Sequence, residues 1–188
     1  MSIDFSQVKT ITIPEGSVKK ITDSNGNILW QGQSGEWHTI WEGSKTITLT
    51  KSGTNEPVIS GEDQNLAQTV VGTGFKPKIR FTFSYSNTNT DYNNWHNRFA
   101  IDSKYETTMS SPLTIEFVKD LNFIGTRLCF VYRSSNDNKT NLGVGLRGIR
   151  NNNNNSINIS LGRHTAGDKS LNGDFTLTFT VTKIEQYY

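Results

Sequence analysis

Regular alternation of apolar and small polar residues is the feature that most constrains the fold of this chain. In the segment 175–182, Phe175, Leu177, Phe179 and Val181 alternate with threonines. The segments 79–86, 113–117 and 157–161 show the same alternation. A repeat of two residues places the apolar side chains on one face of a β-strand and the polar ones on the other. These segments therefore predict strands that are buried on one side only.

Further strands are expected at 37–42, 45–50, 98–102 and 144–149. The segment 127–132 is apolar on both faces, which is typical of a central strand. No segment has a convincing helical repeat of apolar residues, and the closest, 62–71, is expected to form a turn of helix or a loop. About nine half-apolar strands in about 150 residues predict an all-β fold in which two antiparallel sheets pack as a jelly-roll-like β-sandwich.

The composition supports a β-sandwich with a thin core and polar loops. Asn, Ser and Thr supply 61 of the 188 residues, yet ten Phe, six Tyr and four Trp are too many aromatic residues for a disordered chain. Threonine suits the hydrated face of a sheet, whereas asparagine closes turns through its side chain. The asparagines cluster at 86–94, 134–139 and 151–155, so these segments are predicted loops and the last is a predicted hairpin loop.

Several classes of protein are excluded by what the chain lacks. Its net charge of +2 comes without a concentrated basic block, which argues against a nucleic-acid partner. It has no apolar run long enough to cross a membrane and no secretory signal at its start. Cys129, the single cysteine, lies in an apolar run and is expected to be a core residue. These features fit synthesis in a reducing cytosol.

The first 33 residues form a distinct unit. They contain three short strand-like runs at 8–13, 18–22 and 28–31. The pair Asn25-Gly26 tolerates the positive φ angles of a tight turn, so residues 18–31 are predicted to form a β-hairpin. A unit of this size with few large apolar residues is too small to fold stably alone and should dock against something else. The predicted organisation is a docking module at 1–33, a linker at 34–36 and a β-sandwich at 37–188.

No catalytic or metal-binding pattern is visible. His38, His96 and His164 lack a second ligand at metal-binding spacing. There is no G-x-S-x-G sequence, and Glu116 and Asp102 read as surface carboxylates. We therefore expect a protein that is not an enzyme and that needs no cofactor or metal.

The segment 91–98 is the most suggestive candidate for a binding site. Sugar sites combine aromatic rings with amide and charged side chains that bind hydroxyl groups. Tyr92, Asn94, Trp95 and Arg98 supply these groups and form the predicted glycan site. The alternative is that Trp95 only anchors a long loop to the sandwich. The loop 136–138 either joins this site or binds calcium through its oxygen atoms.

Trp37 and Trp41 form a second aromatic pair. Both are expected on one face of a strand, with Thr39 between them. They pack into the core, pack against the docking module, or form a binding platform.

The N-terminal residues also carry a family resemblance. Residues 13–30 follow the pattern I-P-x-G-x-V-K-x-I-x-D-x-x-G-x-x-L-W. This pattern resembles a short module at the start of virion proteins from tailed bacteriophages and prophages of Gram-positive bacteria. The segments 37–44 and 182–188 are similar to the edges of the β-sandwich domains that follow this module.

The resemblance implies a non-enzymatic virion structural protein that is made in the bacterial cytoplasm. Residues 1–33 would bind other virion proteins, and the sandwich would adhere to host surface polysaccharide at a tail tip, fibre or head fibre. By analogy with phage fibres, the chain is expected to form a homo-oligomer, in that analogy a trimer. The alternatives are a capsid or tail decoration protein without a ligand and a carbohydrate-active enzyme. The residues expected to anchor the module are Ile13, Val18, Ile21, Ile28, Leu29 and Trp30.

Overall fold

The structure is a computed structural model. It describes residues 20–22, 28–31, 35–62, 65–70, 78–89, 95–101, 104–106, 108–116, 126–135, 141–151, 156–166 and 173–187. Within these ranges the regular elements are all β-strands, which form one two-stranded, one five-stranded and one six-stranded sheet. The same ranges contain no helix of the length and apolarity that a membrane crossing requires.

The two-stranded sheet is the predicted N-terminal hairpin. Strand β1 (Lys20–Thr22) pairs antiparallel with β2 (Ile28–Gln31), and Ile21 lies opposite Trp30. The hairpin predicted over 18–31 is thus confirmed for these two strands. Of the six predicted anchor residues, Ile21, Ile28, Leu29 and Trp30 lie on the strands, whereas Ile13 and Val18 fall outside the described residues.

The larger sheets are antiparallel throughout their described pairings. In spatial order, the strands of the five-stranded sheet are β4 (Val58–Ser60), β3 (Trp37–Lys51), β13 (Phe175–Tyr187), β6 (Lys78–Asn89) and β9 (Leu113–Glu116). Those of the six-stranded sheet are β5 (Asn65–Val70), β12 (Ser156–Ala166), β11 (Asn141–Asn151), β10 (Thr126–Ser135), β7 (Trp95–Ile101) and β8 (Lys104–Glu106). The chain passes repeatedly from one sheet to the other.

One core lies between the two sheets. Alternate residues of β3 and β13, such as Leu49 and Phe179, are fully buried against residues such as Leu146 of β11 and Leu161 of β12. Cys129 is fully buried in the same core, as the sequence predicted. The predicted all-β antiparallel sandwich is therefore confirmed, and its core is built from the apolar positions of the alternating segments.

Some predicted boundaries were wrong. The segments 37–42 and 45–50 belong to the single strand β3, and β7 begins at Trp95 rather than at residue 98. The segment 62–71, expected to be a helical turn or a loop, contains β5 instead. Its backbone pairs with β12, and Ala67 and Thr69 are buried at the core side. This tertiary pairing decides the conformation of a segment whose own pattern is weak.

A β-bulge in β3 separates the two N-terminal tryptophans. Thr39 pairs with Glu185 and Trp41 pairs with Ile184, so Ile40 is an extra residue on β3. An extra residue reverses the alternation beyond it. Trp41 packs against the core, whereas Trp37 lies opposite Tyr187 on the outer face. The expectation that both tryptophans share one face is therefore wrong.

The predicted threonine face is confirmed on the outer side of the five-stranded sheet. The Oγ1 atoms of Thr46 and Thr180 lie 2.8 Å apart across β3 and β13, and those of Thr50 and Thr176 lie 3.4 Å apart. The strands on either side of the asparagine run, β11 and β12, pair antiparallel as the predicted hairpin requires, and Asn151 lies opposite Ser156. The intervening residues 152–155 lie outside the described ranges.

Candidate functional site

The predicted glycan residues are only partly within the described structure. Tyr92 and Asn94 fall outside the described residues, and Trp95 and Arg98 lie on β7. In the β7–β10 register, Trp95 is opposite Ser135 and Arg98 is opposite Tyr132. Because Arg98 is three positions after Trp95 on one strand, which is an odd number, these two positions belong to opposite faces of the sheet. The strand thus does not bring Trp95 and Arg98 to one surface.

The outer face of the six-stranded sheet is shaped by glycines. A Cβ atom on Gly143 would overlap the ring of Tyr132, and one on Gly145 would lie 2.7 Å from the Cα atom of Phe130. The rings of Phe130 and Tyr132 stack with centroids 5.7 Å apart and are fully buried on this face. The glycines therefore make room for two aromatic rings that lie close to the backbone of β11.

Arginine and histidine side chains surround these rings. The Nη1 atom of Arg127 donates a hydrogen bond to the hydroxyl oxygen of Tyr132 at 3.0 Å and lies 3.5 Å from Nε2 of His164. The imidazole of His164 meets the ring of Tyr132 edge-on, with centroids 5.6 Å apart. Since a guanidinium only donates, Nε2 of a neutral His164 is the acceptor. Arg127 thereby connects β10 with β12 across the glycines of β11.

His164 is held in its neutral form by this environment. Burial lowers its pKa below the ordinary value of 6.5, and the positive charge of Arg127 lowers it further. The imidazole is consequently neutral at pH 7, and its unprotonated Nε2 atom can accept the hydrogen bond from Arg127.

A second arginine extends the positive charge of this face. Arg147 of β11 lies directly opposite Arg127 of β10, and its Nε atom is 3.4 Å from the hydroxyl of Ser160. Its side chain crosses Gly162, where a Cβ atom would lie 2.6 Å from Cδ of Arg147. At the outer-face register positions of the described strands in this sheet, the charged residues are Arg98, Arg127 and Arg147. The face is therefore basic, and we call it the basic face.

A different cluster occupies the outer face of the five-stranded sheet where β3 begins. The guanidinium of Arg80 lies 4.3 Å from the ring centroid of Trp37, a cation–π contact, and its Nε atom is 2.8 Å from Oε2 of Glu185. Trp37 meets Tyr187 edge-on, with centroids 5.4 Å apart. These contacts hold the first residue of β3, directly after the predicted linker, against β6 and β13.

The carboxylate of Glu185 is the electrostatic centre of this Trp37 cluster. The Nζ atom of Lys183 also binds this carboxylate, 2.8 Å from Oε1, and the side chain of Glu185 is only 8% exposed. The hydrogen bond from Arg80 is the main reason that the pKa of Glu185 falls from 4.5 to about 2, and Lys183 lowers it further against the opposing effect of burial. The cluster is a closed network of ion pairs, which suits a structural joint better than a ligand site.

A buried cation at the other end of β3 also has a structural role. Lys51 is 1% exposed, and its ammonium donates to the carbonyl oxygens of Gly53 and Asn55. The backbone N–H of Gly53 donates in turn to the Asp174 carboxylate at 2.6 Å. The lysine therefore closes the turn after β3.

Sequence reasoning missed most of these residues. It considered His164 only as a metal ligand, and it gave no role to Arg80, Arg127, Arg147 or Glu185. The sequence signal that points to these residues is the alternation of glycine with apolar residues at 143–146. A glycine leaves space on its face of a strand, and side chains from the neighbouring strands can fill that space. The described residues contain no group of three or more His, Cys, Asp or Glu that could hold a metal ion.

No protein-family model matches the chain, and no curated protein or solved structure shows significant similarity to it.

Proposed function

We propose that this chain is a non-enzymatic structural protein of a tailed-bacteriophage virion. Its N-terminal module joins the particle, and its β-sandwich is displayed to adhere to host surface glycans. The observation that carries this proposal is the two-stranded sheet of β1 and β2, which shares no strand with either sheet of the sandwich. A small separate β-unit followed by a sandwich with its own core is the arrangement that an anchor and a displayed head require.

The pattern of residues 13–30 supports the same proposal, because it resembles modules at the start of phage virion proteins. The Trp37 cluster adds a mechanical argument. A head that must keep its orientation needs a firm connection to its linker, and the contacts of Trp37 with Arg80 and Tyr187 fix the start of β3.

The anchoring part is tested by removing residues 1–33 from the chain in the phage that produces it. We expect the shortened protein to fold and stay soluble but to be absent from purified particles. Incorporation at the level of the full chain would refute the anchoring role. A Lys78→Gln variant of the full chain, altered on the sandwich surface, serves as the control that should still be incorporated.

The adhesion part is tested with particles that carry Trp95→Ala or Arg98→Gln. We expect weaker adsorption to host cells with unchanged incorporation. Arg98 is opposite Tyr132 on the outer face of the sheet, whereas position 95 belongs to the face that carries the core residue Cys129, so reduced adsorption of Arg98→Gln alone would assign the host contact to the outer face. Unchanged adsorption of both variants, together with particles that become unstable without the protein, would favour a decoration protein. Cleavage of host polysaccharide by the purified chain would favour an enzyme.

A further inference from the structure

The two ends of the sandwich differ in their distance from the N-terminal module. The chain enters β3 at Trp37, which lies opposite Tyr187, and Tyr187 lies opposite Lys78 at the start of β6. We call this the near end of the sandwich. Strand β13 has 13 residues, so its other terminus, Phe175, lies about 40 Å from Tyr187. A particle that holds the chain through residues 1–33 is therefore closest to the near end.

The opposite end, which we call the far end, is shared by both sheets. Phe175 lies opposite Lys51 at the end of β3 and opposite Asn89 at the end of β6. The guanidinium of Arg133, close to the end of β10, lies 5.9 Å from the ring centroid of Phe175. The registers of the six-stranded sheet bring the starts of β7 and β11 and the end of β12 to the same level. Strand ends from both sheets therefore meet at the far end.

The turn between β3 and β4, residues 52–57, gives the far end an exposed polar surface. Residues 52–56 are exposed, and they include the hydroxyl of Thr54 and the side-chain amide of Asn55. Hydroxyl and amide groups both donate and accept hydrogen bonds, as recognition of sugar hydroxyls requires. The chemistry of this turn therefore suits a sugar polymer.

Hydrogen bonds from the residues beneath the turn hold it in place. The ammonium of Lys51 donates to the carbonyl oxygens of Gly53 and Asn55. The N–H of Gly53 donates to the carboxylate of Asp174 at 2.6 Å, and its carbonyl oxygen accepts from the N–H of Gly173 at 3.3 Å. A surface that is fixed in this way loses little conformational entropy when a ligand binds. The turn is therefore well prepared for recognition.

The outer faces of the two sheets are less suited to contact the host. On the six-stranded sheet, the rings of Phe130 and Tyr132 are fully buried, so the centre of that face is closed to a ligand. On the five-stranded sheet, the hydroxyls of Thr46 and Thr180 lie within hydrogen-bond distance of each other, which leaves them less able to bind a sugar.

We propose that the far end of the sandwich, with the turn 52–57 at its surface, is where the chain binds a host polysaccharide. This inference rests on the proposed role in host adhesion and names the surface that performs it. The position of Trp95, the first residue of β7, belongs to this end, whereas Arg98 lies three positions further along the strand.

The first test attaches a bulky polymer to either end of the sandwich on assembled particles. In Thr54→Cys, a maleimide-linked polyethylene glycol is coupled to the turn at the far end. In Glu116→Cys, the same polymer is coupled at the near end, where the exposed Glu116 lies opposite Lys78. Cys129 is fully buried, so the reagent should react only with the introduced thiol of this chain. Particles with the unmodified chain, treated with the same reagent, give the reference.

We expect the polymer on Thr54→Cys to slow adsorption to host cells by about tenfold or more, because it keeps the cell surface away from the far end. The polymer on Glu116→Cys should leave adsorption close to the reference. Each variant is compared with and without the polymer, so any effect of the substitution itself cancels.

The second test measures binding of the purified full-length chain to host cells. The double variant Thr54→Ala/Asn55→Ala removes a hydroxyl and an amide without adding bulk, and its affinity should fall by about fivefold or more, the size of one hydrogen bond. Lys78→Gln, at the near end, should bind like the unmodified chain. Cells treated with periodate, which cleaves the diols of sugars, should lose binding, whereas cells treated with protease should keep it.

Several results would overturn the inference: equal adsorption of Thr54→Cys particles with and without the polymer, a stronger effect of the polymer on Glu116→Cys, unchanged affinity of the folded alanine variant, or binding that depends on protein rather than on sugar. Particles that lack the whole chain separate this failure from that of the proposed function. If they adsorb as well as complete particles, the adhesive role itself is refuted. If they adsorb poorly while the polymer at the far end has no effect, only the choice of surface is refuted.

Discussion

The Nε atom of Arg80 lies 2.8 Å from Oε2 of Glu185, and this ion pair joins β6 to β13 beside the ring of Trp37. Folding lowers the pKa of Glu185 from 4.5 to about 2, so the unfolded chain binds a proton at this carboxylate more readily than the folded chain does. Its contribution to stability is therefore complete above about pH 4.5 and is lost as the pH falls through about 2.

We predict that Glu185→Gln lowers the free energy of unfolding by about 1 kcal/mol at neutral pH, a size typical of an ion pair near the surface. Urea denaturation at several pH values should show a steeper loss of stability below about pH 4.5 in the unmodified chain than in the variant. Glu116→Gln, which removes an exposed carboxylate 3.7 Å from Lys78, is the control and should have little effect. Identical pH profiles for Glu185→Gln and the unmodified chain would contradict the prediction.

Gly143 leaves the space that the ring of Tyr132 occupies, so Gly143→Ala should destabilise the sandwich. The new Cβ atom would overlap that ring and lie 2.8 Å from the carbonyl oxygen of Val131. We expect a loss of about 2 kcal/mol in thermal or urea unfolding, as for other overpacked cores.

A double-mutant cycle identifies the cause of that loss. In a Tyr132→Ala background, Gly143→Ala should cost clearly less, because its main steric partner is absent. Gly145→Ala should be worse than Gly143→Ala, since the two nearest atoms to a Cβ atom there are backbone, the carbonyl oxygen of Cys129 and the Cα atom of Phe130, whereas the nearest atoms at Gly143 belong to the Tyr132 ring. Additive costs in the cycle would show that the ring of Tyr132 is not the obstacle.

Cys129 should be unreactive in the folded chain. Burial raises its pKa well above the ordinary value, although a hydrogen bond with the backbone of Leu146 acts against this, and the thiol is fully buried. Iodoacetamide followed by mass spectrometry should label it only after denaturant unfolds the sandwich. Rapid labelling of the native chain would mean that this part of the core opens readily.

The two N-terminal tryptophans should differ in their effect on stability. Trp41 packs against the core, so Trp41→Ala is expected to cost about 3 kcal/mol. Trp37 lies on the outer face, where its contacts are with Arg80 and Tyr187, and Trp37→Ala should cost less than about 1 kcal/mol. Equal costs in urea denaturation would contradict the opposite placement of the two rings.

Local pattern was sufficient for much of this fold. The alternation from Phe175 to Thr182 reports directly which side chains are buried, and it predicted both a core strand and its threonine face. The bulge at Ile40 was not predictable in this way, because its cause is the pairing of β3 with β13 rather than any local signal. Strand β5 was missed for a similar reason, since its partner β12 lies about ninety residues further along the chain.

The basic face was harder to predict than the fold. Arg127, Arg147 and His164 come from three strands, and only the register of the sheet makes them neighbours. The predicted loop at 91–98 was chosen because its aromatic and amide residues are close in sequence. That criterion favours loops and overlooks sites that form across strands.

The place where the chain enters the sandwich has a consequence for how such a protein can change. Strand β3 begins on the five-stranded sheet, and the arginines of the basic face belong to the six-stranded sheet. A whole hydrophobic core separates the start of β3 from these arginines, so substitutions on one side leave the packing of the other undisturbed. Selection can therefore alter one sheet while the contacts that fix the entry of the chain into the other sheet stay the same.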